Sequence, residues 1–306
     1  MTIKIFGHQN PDTDTVTSAL VLAHIETALG NDVEAVMLGE FGDETAYALE
    51  YFGVGAPRII ERVEDGAQVM LVDHNEFQQS VDNIENAEIL KVYDHHRISN
   101  FQTESPLYFR AEPVGCTATV LYKVFLESEL DIPKSMAGLL LSAIVSDTLL
   151  FKSPTTTSED EVVGRKLAEI AEVDVDVYGL EMLKAGASTV DKTAAELING
   201  DAKTFEMNNK NVRIAQVNVV DVDEVFERRA ELEEAINAEI DAENYDLFTL
   251  VVTNILKSDS KVLALGKDHK AVEAAFDVTL DDNTAILEGV VSRKKQVVPH
   301  ITKALT

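Results

Sequence analysis

The stretch that decides the fold is Gly7–Asp14, with the sequence GHQNPDTD. It follows a short apolar run, Ile3–Phe6, and precedes an apolar-periodic run, so the pattern predicts a strand, a loop and a helix. The loop holds three side chains that can bind a metal ion, His8, Asp12 and Asp14. Its Asn-Pro pair favours a turn that folds these three groups toward one point. Asp14 could instead cap the helix that follows, and the loop alone leaves that alternative open.

Two further predicted strands end at acidic and imidazole side chains. Gln68–Val72 runs into Asp73-His74-Asn75-Glu76, and Ile89–Tyr93 runs into Asp94-His95-His96-Arg97. Strands and helices alternate through the first half, which predicts an α/β fold with a mostly parallel sheet flanked by helices. The carboxyl ends of neighbouring strands then meet at one edge of the sheet. Three such clusters at strand ends favour one shared site over three ordinary polar loops.

Asp147 is predicted near the end of an apolar helix that Pro133 opens. A buried acid there needs a partner or a cation, whereas a position past the helix end would leave it in solvent. Four carboxylates and two imidazoles suit two ions that share a bridging carboxylate, about 3.5–4 Å apart. Asp73 is the expected bridge, supported by His74 or Glu76. Imidazole ligands shift the metal preference from Mg²⁺ toward Mn²⁺ or Co²⁺. The candidate ligands are His8, Asp12, Asp14, Asp73, His95 and Asp147.

The second half of the chain has a different order of elements. The small polar stretch Ala187–Thr193 is the predicted boundary, which gives domains of residues 1–188 and 194–306. The pattern after it predicts a smaller α/β domain that ends in a last helix or an extended tail, Arg293–Leu305. Its predicted elements are a hairpin of Ala202–Met207 and Val212–Val220, a long acidic helix Asp221–Glu243, and the strands Leu247–Leu256 and Val262–Leu265.

The charge of the chain limits the classes of partner. With 54 acidic and 26 basic residues the net charge is −28, so most of the surface repels nucleic acid and anionic membranes. An anionic substrate would need metal ions and a local basic cluster. The run Ser292-Arg293-Lys294-Lys295 provides one such cluster, and Lys203 could add another cation. Arginine offers a fork for phosphoryl oxygens and lysine a point charge.

The composition also indicates a compartment. Cys116 is the one cysteine, so no internal disulfide can form, and a buried thiol in a reducing compartment is expected. No apolar run reaches the roughly 20 residues of a membrane span, and the first residues do not read as a signal peptide. A cytoplasmic protein is therefore expected.

Five motifs in order, GHQNPDTD, VDHNE, DHHR, the Ser146-Asp147 helix end and SRKKQ, resemble those of the family II inorganic pyrophosphatases. These belong to the phosphoesterases named for an Asp-His-His motif, here Asp94-His95-His96. The resemblance covers essentially the whole chain. It implies an N-terminal metal-binding domain and a C-terminal phosphate-binding domain of the DHHA2 type, with the active site in the cleft. It also implies a homodimer formed through the N-terminal sheet.

The resemblance further implies a cytoplasmic enzyme that hydrolyses pyrophosphate to two phosphates. A hydroxide activated by two metal ions would attack, with two Mn²⁺ or alternatively Co²⁺ per subunit and Mg²⁺ arriving with the substrate. By position, His8, Asp12 and Asp73 resemble the ligands of one ion. The ligands of the other ion are matched by Asp14, Asp73, His95 and Asp147. The groups that bind substrate and assist catalysis are matched by His96, Lys203, Arg293 and Lys294.

Three other functions compete with this interpretation. A nuclease or cyclic-dinucleotide phosphodiesterase of the same superfamily would need a basic or aromatic groove, and the strongly acidic chain has no tryptophan. A short-chain exopolyphosphatase is a closer alternative, because polyphosphate has the same end group as pyrophosphate. A metal-binding module without activity is disfavoured by the basic cluster that accompanies the full set of candidate ligands.

Overall fold

Apolar runs in the first half of the chain pair into one six-stranded sheet, in the order β3-β2-β1-β4-β5-β6. Every pairing within it is parallel, which confirms the predicted α/β class with a parallel sheet. β1 lies between β2 and β4, and β4 lies between β1 and β5, so the ends of β1, β4 and β5 are neighbours. The strands are β1 (Ile3–Phe6), β2 (Val33–Met37), β3 (Arg58–Ile59), β4 (Gln68–Val72), β5 (Glu88–Asp94) and β6 (Tyr108–Ala111).

Six helices belong to the same part of the chain. The most deeply buried is α4, which is apolar on nearly all sides and is packed so closely that a Cβ on Gly138 would lie 2.3 Å from the Phe52 ring. The helices are α1 (Thr13–Ala28), α2 (Asp43–Phe52), α3 (Thr117–Glu127), α4 (Lys134–Thr148), α5 (Ser158–Ala171) and α6 (Val175–Gly186), with short 3₁₀ turns at Phe77–Gln79 and Ile84–Asn86.

The computed structural model describes residues 2–305. The chain forms two units, one ending at Gly186 and the other beginning at Ala187. None of the helices within residues 2–305 is long and apolar enough to cross a membrane.

The second unit has a five-stranded sheet in the order β11-β10-β9-β8-β7. β8 and β9 pair in parallel, and the other pairs are antiparallel. The predicted hairpin is confirmed, and its turn places Asn208 and Asn209 at φ of 50° and 60°. The strands are β7 (Ala202–Met207), β8 (Lys210–Val219), β9 (Leu247–Asn254), β10 (Asp259–Leu265) and β11 (Thr284–Leu287), and the helices are α7 (Ala194–Asn199), α8 (Val222–Phe226), α9 (Arg229–Glu243), α10 (Ala271–Phe276) and α11 (Val298–Ala304).

One predicted element of this unit is wrong. The acidic run Asp221–Glu243 forms two helices, α8 and α9, with a break at Glu227 and Arg228. Arg228 has φ −98° and ψ 23°, outside the helical range, and its guanidinium donates to the carbonyl of Lys192 at 2.6 Å. Arg228 makes this long-range contact at the point where α8 and α9 would otherwise continue as one helix. At the other end, Arg293–Val297 forms a π-helical turn that leads into α11.

Candidate active site

The carboxylate of Asp73 lies at the centre of a cluster at the carboxyl ends of β1, β4 and β5. Asp73 directly follows β4, has a φ of 59° and is buried. Its Oδ2 is 3.4 Å from His8 Nε2, and its Oδ1 is 3.4 Å from His95 Nε2. Hydroxyl donors orient the same two oxygens, Thr15 Oγ1 on Oδ2 at 2.8 Å and Thr117 Oγ1 on Oδ1 at 3.2 Å. One carboxylate therefore faces two imidazoles, one on each oxygen.

The first group around Asp73 contains His8 and Asp12. Ligand atoms of the three residues lie within 4.8 Å of one another, and His8 Nε2 is 3.4 Å from Asp12 Oδ2. Asp12 is the N-cap of α1, because its Oδ1 accepts from the backbone N–H of Thr15 at 3.0 Å. The capping alternative considered for Asp14 is therefore wrong. The helix begins at Thr13, which places Asp14 in its first turn.

The second group contains Asp14, Asp147 and Cys116, whose ligand atoms also lie within 4.8 Å of one another. Asp14 is buried, and its two oxygens accept from Ser18 Oγ at 2.6 Å and from the backbone N–H of Thr117 at 2.7 Å. Asp147 lies in the last turn of α4, and 19% of its side chain is exposed. The alternative prediction, that Asp147 lies past the end of the helix in solvent, is therefore wrong.

His95 links the two groups. Its Nε2 is 3.4 Å from Asp73 Oδ1 and 3.7 Å from Asp147 Oδ2. Its Nδ1 is 3.1 Å from the carbonyl of Val114. Because a carbonyl only accepts, Nδ1 carries a proton and donates it to Val114, which leaves Nε2 as the ring nitrogen that faces the two carboxylates. All six predicted ligands therefore lie in one connected cluster.

The charges of this cluster determine its proton affinities. Burial disfavours the charged form of both imidazoles, but hydrogen bonds to carboxylates outweigh it and raise the pKa of His8 to about 10 and that of His95 to about 9. Burial acts against the charge of Asp73, yet its bonds to His8 and His95 hold its pKa below the ordinary range. Burial and then the charge of Asp73 raise the pKa of Asp14 to about 7, and burial raises that of Asp147.

These shifts have one physical cause, an excess of buried carboxylates that requires compensating positive charge. Divalent cations meet that requirement better than protons, and oxygen donors mixed with neutral imidazole nitrogens suit Mn²⁺ or Co²⁺. The residues present therefore fit a pair of such ions that share Asp73.

His96 is held next to the cluster by a second carboxylate. Its Nδ1 is 3.0 Å from Oδ1 of the buried Asp94, which also accepts the backbone N–H groups of His95 and His96. Asn75 donates to the other oxygen of Asp94 at 2.6 Å. The bond to Asp94 raises the pKa of His96, against the effect of burial. His96 Nδ1 is also 3.7 Å from Asp73 Oδ1, within reach of the metal-binding group.

An open pocket of about 440 Å³ exposes the side chains of the cluster, with Asp12, Asp73, His95, His96 and Asp147 among its lining residues. A larger groove of about 640 Å³ lies elsewhere on the same unit, next to Phe77 and Ile84. This groove is not the candidate active site despite its larger volume. Within residues 2–305, the groups of side chains that could hold a metal ion lie in the cluster around Asp73 and not in the groove.

The predicted basic residues belong to the second unit. Arg293 begins the π-helical turn, and its guanidinium donates to Asp201 Oδ1 at 2.7 Å and to the backbone carbonyl of the same residue. Its backbone N–H donates to Gln216 Oε1 at 3.0 Å. Lys203 and Lys294 are exposed, on β7 and in the π-helical turn respectively. Arg293 is thus fixed by its neighbours, whereas both lysines extend into solvent.

Comparison with known proteins identifies the family. Residues 2–144 match the model of the DHH family N-terminal domain, and residues 180–304 match that of the DHHA2 domain. A protein of Enterococcus faecalis named "Probable manganese-dependent inorganic pyrophosphatase" is 57% identical, with 98% of each chain covered. The chain belongs to the family II inorganic pyrophosphatases. An Exiguobacterium protein with the same name is 58% identical over 100% of this chain and 99% of its own.

A solved structure agrees with this membership of the family II pyrophosphatases. A proposed family II inorganic pyrophosphatase of Methanococcus jannaschii is 39% identical, with a TM-score of 0.62 and 99% of each chain covered. The resemblance drawn from the five sequence motifs is confirmed, as is the organisation into DHH and DHHA2 domains.

Some residues of this family II site were not predicted from the sequence. Thr15 and Thr117 support Asp73, whereas His74 donates to the carbonyl of Val72 and Glu76 pairs with Arg97. Neither His74 nor Glu76 bonds to Asp73 within residues 2–305, and support of the metal site by one of them stays a prediction. The sequence feature that could have indicated Thr117 is the hydroxyl-rich start of α3, Cys-Thr-Ala-Thr. Cys116 is buried as expected, but its position beside Asp14 and Asp147 follows only from the fold.

Proposed function

We propose that this protein hydrolyses inorganic pyrophosphate to two phosphates at a pair of divalent metal ions. The observation that supports it most strongly is the position of Asp73, whose two oxygens each lie 3.4 Å from a different imidazole. Full-length relatives at 57–58% identity that are named as manganese-dependent inorganic pyrophosphatases support the choice of substrate.

His8, Asp12 and Asp73 would hold one ion, and Asp14, Asp73, His95 and Asp147 would hold the other. When bound, the ions supply Lewis-acid activation of a water molecule and neutralise phosphoryl charge. The chain contributes a ligand set whose orientation is fixed in advance. The hydroxyls of Thr15 and Thr117 fix Asp73, and the carbonyl of Val114 fixes the tautomer of His95.

His96 is the residue of the chain best arranged to donate a proton to the substrate. Its Nδ1 is engaged by Asp94, which stabilises the protonated ring and leaves Nε2 for a phosphoryl oxygen. Arg293, Lys294 and Lys203 would neutralise the non-bridging oxygens and the leaving phosphate. Arg293 is suited to the role because Asp201 already fixes its guanidinium.

Other features of the proposal follow from the residues and the family. Two Mn²⁺ per subunit are proposed, with Co²⁺ as a substitute and Mg²⁺ arriving with the substrate. The single buried cysteine suits a reducing compartment, so the cytoplasm is the proposed location. A homodimer through the first sheet is proposed because β6 is an edge strand of that sheet. Light scattering during gel filtration measures the oligomeric state.

A phosphate-release assay tests the function. The protein is treated with a chelator, dialysed, and supplied with Mn²⁺, Co²⁺ or Mg²⁺ before pyrophosphate or tripolyphosphate is added. We expect Mn²⁺ or Co²⁺ to restore release from pyrophosphate, with pyrophosphate preferred over tripolyphosphate. Faster release from tripolyphosphate would make the protein a short-chain exopolyphosphatase, and no release with any ion would reject the proposal.

A further inference from the structure

Glu44 is a partly buried carboxylate that plays no role in the steps above. It lies in the first turn of α2, on the side of the helix that faces α1 and α4. Its Oε1 accepts hydrogen bonds from two hydroxyls, Thr13 Oγ1 at 3.0 Å and Ser146 Oγ. Thr13 also shares a hydrogen bond with Thr45 Oγ1 at 3.1 Å. A single oxygen atom of Glu44 thus connects α1 with the last turn of α4.

The two donors stand next to candidate metal ligands in the sequence. Thr13 separates Asp12 from Asp14, and Ser146 directly precedes Asp147. Asp12 belongs to the first group around Asp73, while Asp14 and Asp147 belong to the second. Glu44 therefore connects the two chain segments that supply carboxylates to both groups.

Close packing restricts the movement of Glu44. A Cβ added to Gly186, the last residue of α6, would lie 2.7 Å from Glu44 Cβ and 3.0 Å from its Oε2. Burial raises the pKa of Glu44, and the hydrogen bonds from Ser146 and Thr13 oppose that rise. A desolvated carboxylate of this kind needs its hydrogen-bond donors, so the two segments stay attached to it.

We infer that Glu44 is a positioning residue for the metal centre, which holds the start of α1, Asp12–Asp14, and the Asp147 end of α4 at a fixed separation. The inference rests on the proposed function, because it concerns the same metal centre. Asp12 and Asp14 flank one hydroxyl donor and Asp147 follows the other, so the shared contact with Glu44 keeps the chain segments of these carboxylates close together. Residues that orient metal ligands in this way raise affinity by lowering the cost of assembling the site.

Binding of Mn²⁺, measured from the electron paramagnetic resonance signal of the free ion without substrate, tests the inference. In Glu44→Ala both hydroxyls lose their acceptor, and we expect Mn²⁺ affinity to fall by about 10-fold or more. Glu44→Gln keeps Oε1 as an acceptor, so its affinity should remain close to that of the unaltered protein. Glu50→Ala is the matched control, an exposed glutamate on the same helix.

Two results would overturn the inference. One is a Glu44→Ala protein that binds Mn²⁺ as tightly as Glu50→Ala, even if its metal-free thermal stability is lower, because Glu44 would then be structural only. The other is equal weakening in Glu44→Gln and Glu44→Ala, because the hydrogen bonds would then not matter. If Glu44→Ala fails to fold, the Mn²⁺ affinity of Ser146→Ala is measured instead. An affinity equal to that of the unaltered protein would contradict the inference.

The same experiment separates this inference from the proposed function. If the unaltered protein binds no Mn²⁺, the metal centre itself is rejected. If it binds Mn²⁺ but releases no phosphate from pyrophosphate, the proposed reaction fails while the effect of Glu44 on Mn²⁺ affinity is still measured.

Discussion

Asp73 is the residue on which the proposed metal centre depends most. Asp73→Asn keeps the size of the side chain and one oxygen but removes the charge shared by His8 and His95. Removing one partner from a buried set of charges typically costs about 3–5 kcal/mol. We therefore expect Mn²⁺ to bind at least about 100-fold more weakly to both sites, as measured by isothermal titration calorimetry. The exposed Asp82→Asn is the control, and a variant of Asp73 that still binds two ions tightly would contradict the assignment.

The imidazoles of His8 and His95 give the metal-free protein a distinct dependence on pH. Their pKa values are raised from 6.5 to about 10 and about 9, so the stability they contribute is complete below pH 6.5 and is lost as the pH rises toward those values. Metal binding has the opposite sign, because an ion must displace the same protons. Between pH 6.5 and 9 we expect the Tm of the chelated protein to fall and the increase in Tm on adding Mn²⁺ to grow.

Differential scanning fluorimetry with and without Mn²⁺ across that pH range makes the comparison. A Tm of the chelated protein that rises with pH, or a Mn²⁺ effect that shrinks, would contradict the protonation of these histidines.

At the scale of single elements, Asp160 connects α5 to the start of α3. It is buried, forms a capping box with Thr157, and accepts from Gly115 N at 2.8 Å and Thr119 Oγ1 at 2.7 Å. Asp160→Ala leaves buried donors without an acceptor, so we expect a loss of roughly 2–5 kcal/mol in the free energy of unfolding. Urea denaturation of the metal-free protein measures this loss in the free energy of unfolding.

The control is Glu161→Ala, an exposed neighbour paired with Arg165 within the same helix. That surface pair should contribute less than about 1 kcal/mol. Equal stability of the two variants would show that the contacts of Asp160 do not hold α3 and α5 together.

The elements that carry ligands could be predicted from the sequence because they obey local rules. Apolar runs that end in His8, Asp73 and His95 predict strands, and parallel strands place their carboxyl ends at one edge. Features that depend on tertiary contacts could not be predicted in this way. That Asp12 and not Asp14 is the N-cap depends on where the helix starts, and the break between α8 and α9 depends on the contact of Arg228 with the carbonyl of Lys192.

At the scale of the whole molecule, the proposed function places the metal ligands in the first unit and the substrate-binding cations in the second. Arg293 belongs to the second unit, where Asp201 and Gln216 hold its guanidinium and its backbone N–H. We expect Arg293→Ala to lower kcat/KM for pyrophosphate by about 10- to 100-fold, the cost of losing hydrogen bonds to a charged group. Its Mn²⁺ affinity should stay unchanged.

Steady-state phosphate release and Mn²⁺ titration are measured on the same preparation. Lys270→Ala, an exposed lysine of the second unit that lies outside the basic cluster, is the control. Unaltered turnover in Arg293→Ala would remove that residue from the mechanism.

The central claim is that two cations share the carboxylate of Asp73, and anomalous diffraction at the manganese edge from crystals grown with Mn²⁺ tests it most directly. We expect two peaks, one on each side of Asp73 and about 3.5–4 Å apart, with His8 beside one and His95 beside the other. A single peak, or peaks that do not contact Asp73, would contradict the account.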